Sequence, residues 1–195
     1  PPEGNTYFIN KMAATLPSDK VKTNHLVRSI EKNGRHFDLQ VINIRDRTID
    51  HYQVEQVIYA GQKHALKYVF ASDKHLFQNN EYAPWLVLNL ILKDDLRAEA
   101  FWQNEFLTDD STFLGFVDSA SQLRRGSSRV FTAYYCFNPN QRTFLANIRD
   151  NAQAIVHKTV EKVSLYFNKD ISSLVEKVFI KVLGHAMPIP KVNYL

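Results

Sequence analysis

Seven histidines, one cysteine and a scatter of serines and basic pairs are the side chains of this 195-residue chain with the types to do chemistry. A zinc site needs its ligands at short fixed spacings, such as two histidines one turn apart on a helix or paired cysteines. His25 with His36, and His64 with His75, read instead as turn and surface residues, and Cys136 is alone, so no metal centre is expected. A serine nucleophile would sit in a Gly-x-Ser-x-Gly elbow; Ser127 and Ser128 follow Gly126 in what reads as a solvated turn. A phosphate cradle needs clustered glycines so that the backbone can close on the anion. The six glycines, Gly4, Gly34, Gly61, Gly115, Gly126 and Gly184, are nowhere within ten residues of one another, which excludes a fingerprint loop built by this chain. Arg124-Arg125 has the charge to meet an anion, but a polar turn accounts for it better.

The elements that would position any site are organised around Tyr82 to Leu92, a continuous apolar run with a proline near its start and charges after it. Such a run suits a central strand buried on both faces. Ser111 to Ser119, Arg129 to Phe137 and Leu174 to Leu183 have the composition to pair with it, the last ending at Gly184 because Pro188 and Pro190 oppose regular pairing. Asn138-Pro139-Asn140-Gln141 is a helix start, with Asn138 as cap and Gln141 reaching back. Phe144, Ile148, Ala152, Ile155, Val156, Thr159 and Val163 then hold one face of a long helix that covers the sheet.

Upstream, Ile9, Met12, Ala13 and Leu16 make a short amphipathic helix stopped by Pro17. A small meander is expected from residue 20 to residue 60: Thr23 to Lys32, a turn at Asn33-Gly34, Phe37 to Ile44, a turn at Arg45-Asp46-Arg47, and Val54 to Ala60. A helix follows near Gln62 to Phe70, and Gln78-Asn79-Asn80 is the best boundary. The fold class is therefore α+β: a β-meander with flanking helices over residues 1–78, then a mixed, largely antiparallel sheet under a long helix over residues 79–195.

Composition is that of an ordinary globular protein, 45% hydrophobic and 23% charged. The surplus of four basic residues is spread along the chain, so nucleic acid is not an expected partner. No apolar run approaches the roughly 18 residues of a membrane span. A lone thiol fits a reducing compartment, and a cytoplasmic location is expected.

Several blocks in order resemble the middle of FAD-dependent oxidoreductases of the flavin amine oxidase and phytoene desaturase-like group. They are Pro2-Glu3-Gly4-Asn5, Lys22-Thr23-Asn24-His25-Leu26-Val27, Val57-Ile58-Tyr59-Ala60, Tyr82-Ala83-Pro84-Trp85-Leu86-Val87 with Asn89-Leu90, Phe101-Trp102-Gln103-Asn104, Leu114-Gly115-Phe116-Val117-Asp118, and Gly184-His185-Ala186-Met187-Pro188-Ile189-Pro190. The resemblance implies that residues 1–78 are the central segment of an FAD-binding domain and residues 79–195 the substrate-binding domain, in the interior of a longer flavoprotein. FAD would then be bound by the full-length protein and not by this chain alone. The partners implied are a small organic substrate and the remainder of the same polypeptide, with a homo-oligomer also compatible. Val27, Ala60 and Gly61 match cofactor-side positions. Trp85, Phe116 and Tyr134 are candidates for the substrate pocket, and His185 is the one titratable candidate beside it. The chemistry implied is hydride transfer between substrate and flavin, with no lysine assignable to an amine-oxidase role. The alternatives are a free-standing module that binds an apolar ligand without redox chemistry, and a protein-interaction domain that uses an exposed sheet edge.

Overall fold

The computed structural model describes residues 5–70, 72, 80–93, 96, 103–105, 112–119 and 129–192. The chain divides into two units, one running to Asn80 and taking in the chain after Ile189, the other Glu81–Ile189.

In the first unit, strands β1 (His25–Asn33), β2 (His36–Asn43) and β3 (Thr48–Val54) form an antiparallel meander in that order. Asn33 pairs with His36 across a two-residue loop, and Gly34 takes φ 61° as the first loop residue. Glycine at that position is what a type II′ hairpin asks for. The second turn is closed by Asn43, whose Oδ1 accepts the backbone N–H of Arg45 and of Asp46 at 3.1 and 3.2 Å. That turn returns the chain at once, so pairing resumes at Thr48 opposite Asn43. The expected third strand at Val54 to Ala60 is therefore displaced: the strand is Thr48–Val54, and residues 56–60 join no ladder. Its alternation of polar and apolar residues, with Asp50, His51 and Gln53 among them, hides the strand from a hydrophobicity reading.

This unit buries little. Ile30 and Val41 are its buried apolar residues among those described. Helix α1 (Asn5–Ala13) has no buried residue, and Ile9 and Met12 of its apolar stripe are 63% and 71% exposed. Helix α2 (Lys63–Val69) leads into Phe70, whose ring lies 6.4 Å from that of Phe37 on β2.

The second unit holds a five-stranded antiparallel sheet made of β4 (Glu81–Leu92), β5 (Gln103–Glu105), β6 (Phe113–Asp118), β7 (Arg129–Cys136) and β8 (Val175–Ile189), ordered β5-β6-β7-β4-β8. Two of the three expected partners of Tyr82 to Leu92, β7 and β8, pair with it, while the third, β6, is a strand of the same sheet but pairs with β7 instead. Burial is one-sided, however. Leu86, Leu88, Leu90 and Leu92 are fully buried, while Trp85, Val87, Asn89 and Ile91, which point the other way, are half-buried. Each buried leucine contributes about 1.5–3 kcal/mol relative to exposure, and Phe113, Phe116, Phe131, Ala133 and Tyr135 extend the same layer.

Helix α3 (Arg142–Ala146) and helix α4 (Ile148–Phe167) close this layer, with Leu145, Thr159, Val160 and Val163 buried in it. The predicted start is present as a 3-10 turn, Pro139–Gln141, in which the Asn138 N–H donates to Gln141 Oε1 at 3.0 Å. The expected single helix is broken at Asn147, which separates Phe144, 40% exposed, from the face that α4 buries. Helix α4 ends with Asn168 in the left-handed region, φ 48°, and the Lys169 N–H on the Ser164 carbonyl. At the sheet's far end, Arg129 Nε and Nη2 donate to Asp118 Oδ2 at 3.0 and 2.8 Å, and Nη1 donates to the Leu96 carbonyl at 3.1 Å. Among the described residues no helix is long and apolar enough to cross a membrane.

Candidate functional site

With both helices on the leucine face, the opposite face of the five-stranded sheet is left for function. Register arranges its side chains in rows that cross the strands. Leu183, Trp85 and Cys136 form one row; Lys181, Val87 and Tyr134 the next; then Phe179, Asn89, Thr132 and Val117; then Lys177, Ile91 and Val130. Facing residues in such a grid stand about 5 Å apart, and successive rows about 7 Å apart. Trp85 and Tyr134 meet edge to face at 5.9 Å, and Phe179 and Leu183 are 58% and 38% exposed. The surface is an aromatic and aliphatic patch backed by a rigid sheet.

Polar groups are set into it in a definite order. Thr132 Oγ1 donates to Asn89 Oδ1 at 2.8 Å, and with its one proton used it takes the Ser119 hydroxyl at 2.7 Å. The Asn89 carbonyl oxygen is thereby occupied, while its Nδ2 makes no hydrogen bond among the described residues. The indole N–H of Trp85 is likewise buried without an acceptor there, a state that costs about 1–3 kcal/mol unless something supplies one.

His185 lies in a break in the ladder beyond the Trp85 row. Between the pairs Ala83–Met187 and Trp85–Leu183, strand β8 carries Gly184, His185 and Ala186 opposite Pro84 alone. Proline has no N–H to give the ladder, so the partner strand bulges around it. Arg142 closes the defect, with Nε donating to the Gly184 carbonyl at 2.9 Å and Nη2 to the Tyr82 carbonyl at 2.7 Å. His185 packs edge to face on Tyr82 at 6.0 Å. The expectation that pairing stops at Gly184 is thus corrected: β8 continues through Pro188 to Ile189, because an edge strand with a bulge accommodates the proline. Arg142→Ala is expected to lower stability by about 2 kcal/mol, since two carbonyls lose charge-assisted partners. Arg142→Lys should recover less than half, because one ammonium cannot span both acceptors in a fixed fork; urea denaturation of the three proteins checks this.

Of the residues singled out in the sequence, Trp85 and Tyr134 come together on the open face. Phe116 does not join them. It is 1% exposed on the helix side, packed on Phe131 at 4.9 Å and Phe167 at 6.0 Å, because the register shift at Gly115 turns its side chain inward. Cys136 is half-buried in the Trp85 row. Val27 sits where the β1–β2 register slips, on an edge strand whose outward backbone groups have no ladder partner among the described residues. Ala60 and Gly61 are exposed in the irregular stretch before α2, and Ile58 beside them is 92% exposed. Arg124-Arg125, Ser127, Ser128 and His75 lie outside the described residues.

The first unit offers one further cluster. Lys22 Nζ donates to Tyr52 Oη at 2.8 Å, and His25 Nε2 lies 3.8 Å from Asp50 Oδ2. The Tyr52 hydrogen bond holds the Lys22 ammonium above its ordinary value, which makes it a poor base. Among the described residues no three His, Cys, Asp or Glu side chains converge on a metal position. Asn89, Thr132, Ser119 and Arg142 escaped the sequence reading, since only cross-strand register brings them to the site. No family model matches the chain, and no curated protein matches it.

Proposed function

We propose that the chain is the central part of an FAD-dependent oxidoreductase, with Glu81–Ile189 as its substrate-binding domain. The observation that carries this reading is the one-sided sheet: a helix-backed leucine layer on one face, and on the other a half-buried patch, covered by no helix among the described residues of this unit, in which Trp85 and Tyr134 stand together. A flat aromatic patch of this kind suits one wall of a pocket for a planar ring and an organic substrate. The collinear sequence blocks support the same reading, and so does the thin burial of the first unit, whose exposed Ile9, Met12 and Ile58 would be covered in a larger nucleotide-binding domain.

The described residues fit FAD in part. The edge strand β1 has the outward N–H and C=O groups that an adenine edge needs. No glycine cluster cradles a pyrophosphate, so that part of the binding would fall to other polypeptide. When bound, the flavin supplies two-electron hydride chemistry. The chain's own residues bind and orient: Trp85, Val87 and Tyr134 exclude water from the substrate's apolar body, and the Ser119–Thr132–Asn89 chain fixes one donor. His185, held in the bulge against Tyr82, is given no part in this reading.

The test is the visible spectrum of the native protein bearing this sequence, purified from its own cells and desalted. A yellow preparation that releases about one FAD per polypeptide on denaturation is the expected result. A colourless preparation with no extractable flavin overturns the proposal and leaves the open face as a surface for an apolar ligand.

A further inference from the structure

We infer that the open sheet face takes an organic anion, a substrate whose apolar body lies on Trp85 and Tyr134 and whose carboxylate is held by Lys181 and Asn89. The inference rests on the proposed use of this face as the substrate side, and it adds the charge of the substrate.

The unpaired polar groups on the face are donors. Lys181 is exposed and makes no ion pair among the described residues, and it shares the Val87–Tyr134 row. Asn89 stands one row away with its Nδ2 free, because Thr132 has taken its oxygen. Lys177 adds a second positive charge two rows along, held at 3.9 Å by Glu176. From the Trp85 row to the Ile91 row, the one carboxylate that register places on this face among the described residues is Glu105. It ends the Lys181 row on β5, four strands and so about 19 Å away, and its Oε1 accepts the Gln103 amide at 2.8 Å. Among the described residues, a cationic amine on the aromatic pair would face the like charge of Lys181 with no carboxylate nearby to offset it, the ring faces and hydroxyl oxygens being its only attraction. A carboxylate would meet an ammonium and an amide N–H, both next to a surface that excludes water and so strengthens the contact.

The experiment titrates 3-phenylpropanoate, 3-phenylpropanamide and 3-phenylpropylamine into the native protein bearing this sequence, read by calorimetry. The expected order is carboxylate first, by at least tenfold over the amide, with the amine weakest. Lys181→Ala should erase that gap, Lys181→Arg should keep most of it, Lys181→Glu should put the amine first, and Lys177→Ala should leave the order intact. Equal binding of carboxylate and amide, tightest binding of the amine, no binding of any of the three, or a carboxylate preference that survives Lys181→Ala would overturn the inference. Flavin content of the native protein is read separately. An amine-preferring yellow protein refutes the anion alone, and a colourless protein that prefers the carboxylate refutes the flavin alone.

Discussion

Gly115→Ala is expected to abolish the folded five-stranded sheet at ambient temperature, a loss well above about 3 kcal/mol. Gly115 sits in β6 at the shift in register against β7, with φ 123°, a region that residues with a Cβ rarely adopt. The site is also closed: a Cβ there would run into the Asn104 carbonyl of β5. Neither term can relax, because the clash is with backbone in the next strand. Gly34 provides the control. It too has positive φ, at 61°, but nothing lies within 4 Å of a Cβ built on it. Gly34→Ala should therefore cost only the strain of the left-handed backbone, about 1–2 kcal/mol. Urea denaturation followed by circular dichroism compares the two. Equal effects at the two glycines would refute the account.

Asp118→Ala is expected to destabilise the second unit by about 3–5 kcal/mol. The Asp118 side chain is 5% exposed and that of Arg129 17%, so removing the carboxylate takes away the anion that pairs with this cation among the described residues, in a site with little water. The Leu96 carbonyl and the faces of Phe131 and Phe167, at 5.1 and 5.8 Å, would stay in contact with the guanidinium, and none of the three carries compensating charge. Arg129→Met should cost a similar amount from the other side. The double variant Asp118→Ala with Arg129→Met should be far less damaged than the sum of the two, because most of each single loss is an uncompensated charge and not a missing attraction. Strict additivity of the two single effects would show that the ion pair matters less than the packing around it.

Both sites show why some features are visible in a sequence and others are not. Leu-Gly-Phe-Val-Asp marks a strand by composition, yet nothing local says that its glycine is a bulge or that its aspartate will be closed in with Arg129, eleven residues on. Phe116 shows the cost of this gap. Simple alternation leaves its facing open, and one shift in register at Gly115 sends it beneath α4, away from Trp85 and Tyr134. The third strand of the first unit was missed for the opposite reason. Its residues are half polar because the sheet is covered thinly, so hydrophobicity did not announce it, and the turn at Asn43 set its register.

Local physics alone determined the α+β class, the central strand from Tyr82 to Leu92, the Asn138 helix start, the Asn33-Gly34 reversal and the lack of a glycine-rich phosphate loop, because propensity, capping and glycine spacing are properties of neighbours in the chain. The tertiary structure decided which face of the sheet is open, that Asn89, Thr132 and Lys181 stand around Trp85 and Tyr134, and that Arg142 closes the bulge at His185. Those relations depend on register between strands about a hundred residues apart in the chain, and a slip of one residue sends every side chain of a strand to the other face.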